Sequence, residues 1–248
     1  MTSGLIVVEG PDDLSALREI FQRLLGGQVA PITHSEKYRG SLLVWPRDDA
    51  SNEREVRILV AGSRDQVPLV AREQLIGTAT AASPNSYLGL CIDPNGQDHA
   101  QLQAWLKAGM QAPSIGQTET VDGLECVIGS RSVQVVYLLW DLGSLFDRLS
   151  DERNLERVAV EILQKTQPQE GAMVDGFLQT LQAQGMKTTW KTAFRLWAAI
   201  RYPDKGAMDQ VFGQDNGVRA AVSEVLATSV LFRRLSLFAG QPPTTRSP

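Results

Sequence analysis

The chain has 248 residues, 43% of them hydrophobic and 21% charged, with a formal net charge of −4. That length and composition suit a globular chain that buries its own core, and exclude a staple-dependent mini-protein or a disordered polyelectrolyte. The acidic balance excludes a protein that coats nucleic acid through its own basic surface, because such binding is driven by Lys and Arg displacing counterions. Two cysteines, Cys91 and Cys126, lie in separate apolar runs, and His34 and His99 are the sole histidines, so no ligand set for structural zinc exists. The cysteines read as buried thiols of a reducing compartment. No apolar run reaches the roughly 18 residues of a membrane span, and Met1 to Gly4 carries no basic leader-like segment. The expectation is a cytoplasmic protein with no membrane contact.

Taken in chain order, Leu5 to Val8 is a continuous apolar run, the pattern of a strand buried on both faces. Glu9 to Asp13 forms a turn, and Leu14, Leu17, Ile20, Phe21 and Leu24 then recur at helical spacing until Gly26-Gly27. Ser41 to Trp45 reads as a short strand, 47–54 as a polar loop, Val56 to Val60 as a strand, and Val67 to Ile76 as a helix. Tyr87 to Ile92 is a further buried strand, His99 to Met110 a helix, 111–132 a hairpin region, and Val133 to Leu139 a fourth strand. A helical region begins at Gly143 to Leu149 and resumes at Leu155 to Gln164. Helical patterns alone follow, at 173–184, 188–201, 205–212 and 217–238. Strands alternating with helices predict an α/β fold with a mainly parallel, Rossmann-like sheet flanked by helices. The expected division is an α/β core over 1–150, a C-terminal helical extension over 151–239, and a frayed tail over 240–248.

Two stretches carry chemistry. Glu9 ends the first strand, with Asp12 and Asp13 just beyond, and in open parallel sheets sites gather at the carboxyl ends of strands near helix N-termini. The same acids also suit plain helix capping. Asp93-Pro94-Asn95-Gly96 ends another buried strand and places two oxygen-bearing side chains in one turn, which suits Mg²⁺ as well as an ordinary turn. If the two strands are neighbours, their acids meet at one sheet edge. Gly62-Ser63-Arg64 reads as a turn, and Trp190 and Trp197 as core or interface residues. No serine–histidine pairing or P-loop is present.

Val8-Glu9-Gly10-Pro11-Asp12-Asp13 resembles the opening V-E-G-x-x-D motif of TOPRIM domains, especially those of overcoming-lysogenisation-defect (OLD) nucleases. Asp93-Pro94-Asn95 resembles their D-x-D motif with Asn in place of the second Asp, and Gly143 to Asp147 resembles a later G-x-L-E-D segment with Phe146 in place of the Glu. Lys191 to Phe212 is similar to the tail of an uncharacterised stand-alone TOPRIM-like family. The resemblance implies a TOPRIM-like core and Mg²⁺- or Mn²⁺-dependent phosphoryl transfer on nucleic acid. It makes Glu9 the acid/base or metal-linked residue and Asp13 and Asp93 metal contacts. Asn95 would be a neutral oxygen donor, Asp147 a replacement acid, and Lys191 a cation for the transition-state phosphate. OLD nucleases join this domain to an ATPase, so the resemblance implies a separate ATPase chain as partner here. Loss of two acids from the motifs weakens a two-metal site. The alternatives are therefore a one-metal nuclease, a degenerate scaffold acting as a protein-interaction subunit, or a phosphate-handling α/β enzyme of another family. Oligomeric state is not legible in the pattern.

Overall fold

The computed structural model describes residues 2–30, 38–45, 54–78, 85–93, 97–121, 123–140, 154–203, 206–227 and 229–240. The apolar run predicted at the start is strand β1 (Thr2–Val8), whose Leu5, Ile6, Val7 and Val8 are all buried. Full burial of each such side chain stabilises by about 1.5–3 kcal/mol. Successive side chains of β1 serve opposite faces, as strand geometry requires. Leu5 and Val7 join one apolar cluster, Ile6 and Val8 the other.

Helix α1 (Pro11–Arg23) follows, with Pro11 in its first turn, where the missing N–H costs nothing. Next come β2 (Gln28–Ala30), β3 (Gly40–Trp45) and β4 (Arg54–Val60), then a single 3₁₀ turn (Arg64–Gln66) leading into α2 (Val67–Thr78). After β5 (Asn85–Cys91) and α3 (His99–Gly109), three strands run in succession: β6 (Gly116–Thr120), β7 (Gly123–Ile128) and β8 (Arg131–Leu138).

The eight strands form one sheet in the order β2-β3-β4-β1-β5-β8-β7-β6. The predicted α/β class holds, but the sheet is mixed rather than mainly parallel. β4, β1, β5 and β8 are mutually parallel, and the other four pairings, β2–β3, β3–β4, β6–β7 and β7–β8, are antiparallel. Connection length supplies the reason: β7 and β8 are joined by Gly129-Ser130, too short for a crossover, so they must run as a hairpin. Gly129 takes φ +62 there, the left-handed conformation glycine adopts without a Cβ clash.

Helices α2 and α3 cover one face of the sheet. α1 and the C-terminal helices cover the other: α4 (Leu155–Thr166), α5 (Pro168–Ala183), α6 (Trp190–Arg201), α8 (Asn216–Ala227) and α9 (Val230–Ala239), with α7 (Ala207–Asp209) between α6 and α8. Two expected helices are divided. The predicted helix over 205–212 is the short α7 running into a π turn, Gln210–Gln214. The predicted helix over 217–238 breaks into α8 and α9, because Ser229 takes an extended backbone and its Oγ accepts from the Phe232 N–H, starting a new helix. The expected helix over Gly143 to Leu149 lies outside the described residues.

Helix α9 reaches the centre of the sheet through Phe238. A Cβ added at Gly89 of β5 would stand 2.7 Å from Leu138 Cδ1, 3.0 Å from Phe238 Cζ and 3.1 Å from Ile6 Cγ1. Gly89→Ala is therefore expected to destabilise the protein by about 1–3 kcal/mol through overpacking, read as a lower urea midpoint with an unchanged m-value.

Candidate active site

The parallel pairing of β1 with β5 sets the site. Val8 stands opposite Cys91, so Glu9 and Asp93 leave the carboxyl edge within about one residue of each other in register. The chain after β1 turns at once into α1, whose first turn carries Asp12 and Asp13. Asp12 is exposed, whereas Asp13 is half-buried and turned back toward the sheet. Its Oδ2 accepts from the Gly10 N–H at 3.0 Å and its Oδ1 from the Trp140 indole Nε1–H at 2.7 Å. The first contact is the capping role the sequence allowed, although the N-cap position itself falls on Gly10. The second joins α1 to the segment leaving β8, where Trp140 is buried and packs on Phe212 with ring centroids 5.8 Å apart.

Glu9 and Asp93 are held differently. Glu9 Oε2 and Asp93 Oδ1 are buried oxygens with no hydrogen-bond partner among the described residues. An oxygen so placed has lost water without replacement, a cost of about 1–3 kcal/mol or more for a charged group. Burial, reinforced by Asp13, Glu9 and Glu156 and opposed by Lys191, pushes the Asp93 carboxyl up to about 8. Burial likewise lifts Asp13 to about 7, against the stabilising hydrogen bonds from Trp140 and Gly10 and with the charges of Glu9 and Glu156. Cys91 lies fully buried beneath these acids, and burial, together with Asp13, Asp93 and Glu9, raises its thiol well above the usual range.

Lys191 returns to this edge. It lies in the first turn of α6, with Nζ 3.5 Å from Glu156 Oε1, and its charge acts on Asp93. Its side chain is 60% exposed, so the contact with Glu156 is weak in itself. Glu156 belongs to the first turn of α4, which starts at the Asn154 cap. Asn95 and Asp147, both expected at a metal, lie outside the described residues. Among the described residues, no three His, Cys, Asp or Glu side chains form a group able to hold a metal ion.

Sequence reasoning missed Glu156 and Trp140, and gave Arg64 no role beyond a turn. Arg64 donates from Nε to the Asp93 carbonyl at 3.1 Å and from Nη2 to Gln97 Oε1. The signal for Trp140 was its place at the end of the strand run 133–139. Glu156 looked like any acid in a first helical turn.

No family model matches the chain, and no curated protein matches it. Among solved structures, the chain is similar to a crystal structure of a hypothetical protein from Pyrococcus horikoshii OT3. The TM-score is 0.69 over 97% of this chain and all of that one, at 16% sequence identity. That likeness extends to the fold.

Two pH effects are expected without added cations. Asp13 and Asp93 hold protons in the folded state at pH values where unfolded aspartates, ordinarily near 3.8, have lost them. The folded state thus binds more protons between about pH 4 and pH 8, so unfolding free energy falls as pH rises through that window. Denaturant titrations at pH 5 and pH 8 in EDTA should show that fall. Trp140→Phe removes a hydrogen bond that favours the ionised form, so Asp13 should titrate higher than in the wild type, read by carboxyl ¹³C NMR.

Proposed function

We propose that this edge is a divalent-cation site for phosphoryl transfer on nucleic acid, in a cytoplasmic TOPRIM-like protein working with a separate ATPase chain. The observation that carries the reading is the pair of unpartnered, desolvated oxygens, Glu9 Oε2 and Asp93 Oδ1, brought together by neighbouring parallel strands. Carboxylate oxygens that the protein leaves without a donor are free to ligate a hard cation, which takes oxygen ligands. Glu9 and Asp93 would hold Mg²⁺ or Mn²⁺, with Asn95 and Asp147 as the further oxygen donors that the resemblance implies. The ion would stabilise charge on the phosphate oxygens.

The chain's own groups supply the rest. Asp13, fixed by Trp140 and Gly10, adds a third carboxyl whose charge acts on Asp93, and its pKa raised to about 7 allows it to hold or release a proton. Lys191, largely exposed and tethered by Glu156, presents a cation at the solvent side, where a phosphate would approach. The acidic balance of the chain suits a substrate anchored through a cation rather than a basic track.

A second reading is a TOPRIM-like scaffold that binds a protein partner without chemistry. It is favoured by the lack of a metal-holding group of three among the described residues, and by the engagement of both Asp13 oxygens inside the protein. Calorimetric titration of Mn²⁺ and Mg²⁺ into the wild type, Glu9→Gln and Asp93→Asn separates the two. A working site gives binding in the wild type that is lost in both variants, tightening from pH 6 to pH 8.5 as protons leave Asp13 and Asp93. Its Mn²⁺-dependent cleavage of nucleic acid should fall at least about 100-fold in Glu9→Gln, and an ATPase should co-purify from the native host. Absence of wild-type ion binding with substrate present would favour the scaffold.

A further inference from the structure

The loop leaving β4 is attached to both acid-bearing strand ends. The Ala61 N–H donates to the Val8 carbonyl and the Gly62 N–H to the Glu9 carbonyl, at 2.9 and 3.1 Å. Gly62 turns the chain there at φ +97, a conformation that favours glycine. Two residues on, Arg64 reaches across to the other strand end. Its Nε donates to the Asp93 carbonyl and its Nη2 to Gln97 Oε1, so one guanidinium bonds both residues. The guanidinium carbon lies over the Trp105 ring of α3, 4.4 Å from its centre, a cation–π contact.

An arginine beside an aspartate ordinarily pairs with the carboxylate. Here Arg64 Nε bonds the backbone carbonyl of Asp93, and Asp93 Oδ1 keeps no hydrogen-bond partner among the described residues. Asp93 is thus held through its backbone while its Oδ1 has no partner among the described residues. We infer that Arg64 is a positioning residue for Asp93, holding Asp93 and Gln97 beside the Glu9 strand end by a two-pronged contact, packed on Trp105, that only arginine can make. Lysine would retain the charge and lose both the fork and the stacking. The value of this positioning for cation binding rests on the reading proposed above, but the positioning itself does not.

The test compares wild type, Arg64→Lys, Arg64→Ala and Gln97→Ala, each first checked for folding by circular dichroism. Amide exchange is then measured by NMR at Asp93, Gln97 and Asp98, with Val8 as the reference, followed by Mn²⁺ titration. In both Arg64 variants the three turn amides should exchange about tenfold faster while Val8 is unchanged. Mn²⁺ affinity should fall roughly 10- to 100-fold, as for other residues that orient a metal ligand. Gln97→Ala, which removes one prong without touching Arg64, should give a smaller change in the same direction and serves if Arg64→Ala does not fold. Turn amides that exchange as in the wild type, or an Arg64→Lys protein indistinguishable from wild type, would overturn the inference. Faster turn exchange alongside a wild type that binds no Mn²⁺ would support the positioning role and overturn the cation reading alone.

Discussion

Pairing β1 in parallel with β5 takes two strand-terminal carboxylates out of water side by side, and the electrostatic cost of that arrangement shapes everything around it. A parallel pair aligns like ends, so both chains deliver their terminal acids to the same edge. The apolar runs below them, Leu5 to Val8 and Leu88 to Ile92, fix the register because their side chains are committed to two opposed cores. Slipping one strand by a residue to separate the acids would exchange the buried faces of the whole run. The acids stay together because the core holds them there.

The surroundings offset only part of the cost. Trp140 and Gly10 satisfy Asp13, and Lys191 acts on Asp93 from the solvent side, but Glu156 adds a further negative charge to the same space. These contributions come from far apart in the chain. β8 delivers Trp140, α4 delivers Glu156, and α6 delivers Lys191. The helices after residue 154 therefore do more than cover one face of the sheet, since two of them start at the acid-bearing edge. Their own arrangement depends on half-buried polar ties: Arg201 of α6 bonds Glu170 of α5 at 2.7 Å and Asp215, before α8, at 2.9 Å. Arg201 is one of the pins that orient α6.

The parts of this structure legible in the sequence were those governed by local periodicity. Buried central strands announce themselves as unbroken apolar runs, and Leu5 to Val8, Val56 to Val60, Tyr87 to Ile92 and Val133 to Leu139 became the four parallel strands at the centre. The meeting of Glu9 with Asp93 was legible only as a condition, that their strands be neighbours, which the β1–β5 pairing meets. The antiparallel edges were less legible, because short strands such as Gln28–Ala30 contain too few residues to show a period. The break at Ser229 was hidden within a continuous apolar helical pattern, since a cap is a local backbone choice that periodicity does not register. The roles of Trp140, Glu156 and Arg64 were illegible for a different reason. Each depends on a contact across the chain, and an indole, a first-turn glutamate and a loop arginine are common where no site exists.

Charge offers the link between the folded site and its chemistry. With Glu9, Asp13, Asp93 and Glu156 ionised against Lys191, the edge carries a surplus of negative charge that burial does not tolerate. Protons on Asp13 and Asp93 relieve it, and a divalent cation between Glu9 and Asp93 would relieve it equally, since two protons and one dication bring the same charge. The two solutions compete for the same carboxylates. Asp13 has both oxygens committed within the protein, so its part is to set the field and exchange a proton, while the oxygens of Glu9 and Asp93 face the exchange itself. On the proposed cation reading, the same edge would rest in a protonated state and convert to a cation-bound one without rearranging its backbone, provided Asp93 is already held in place. Arg64 meets that condition through the Asp93 carbonyl, leaving the carboxylate out of the bond.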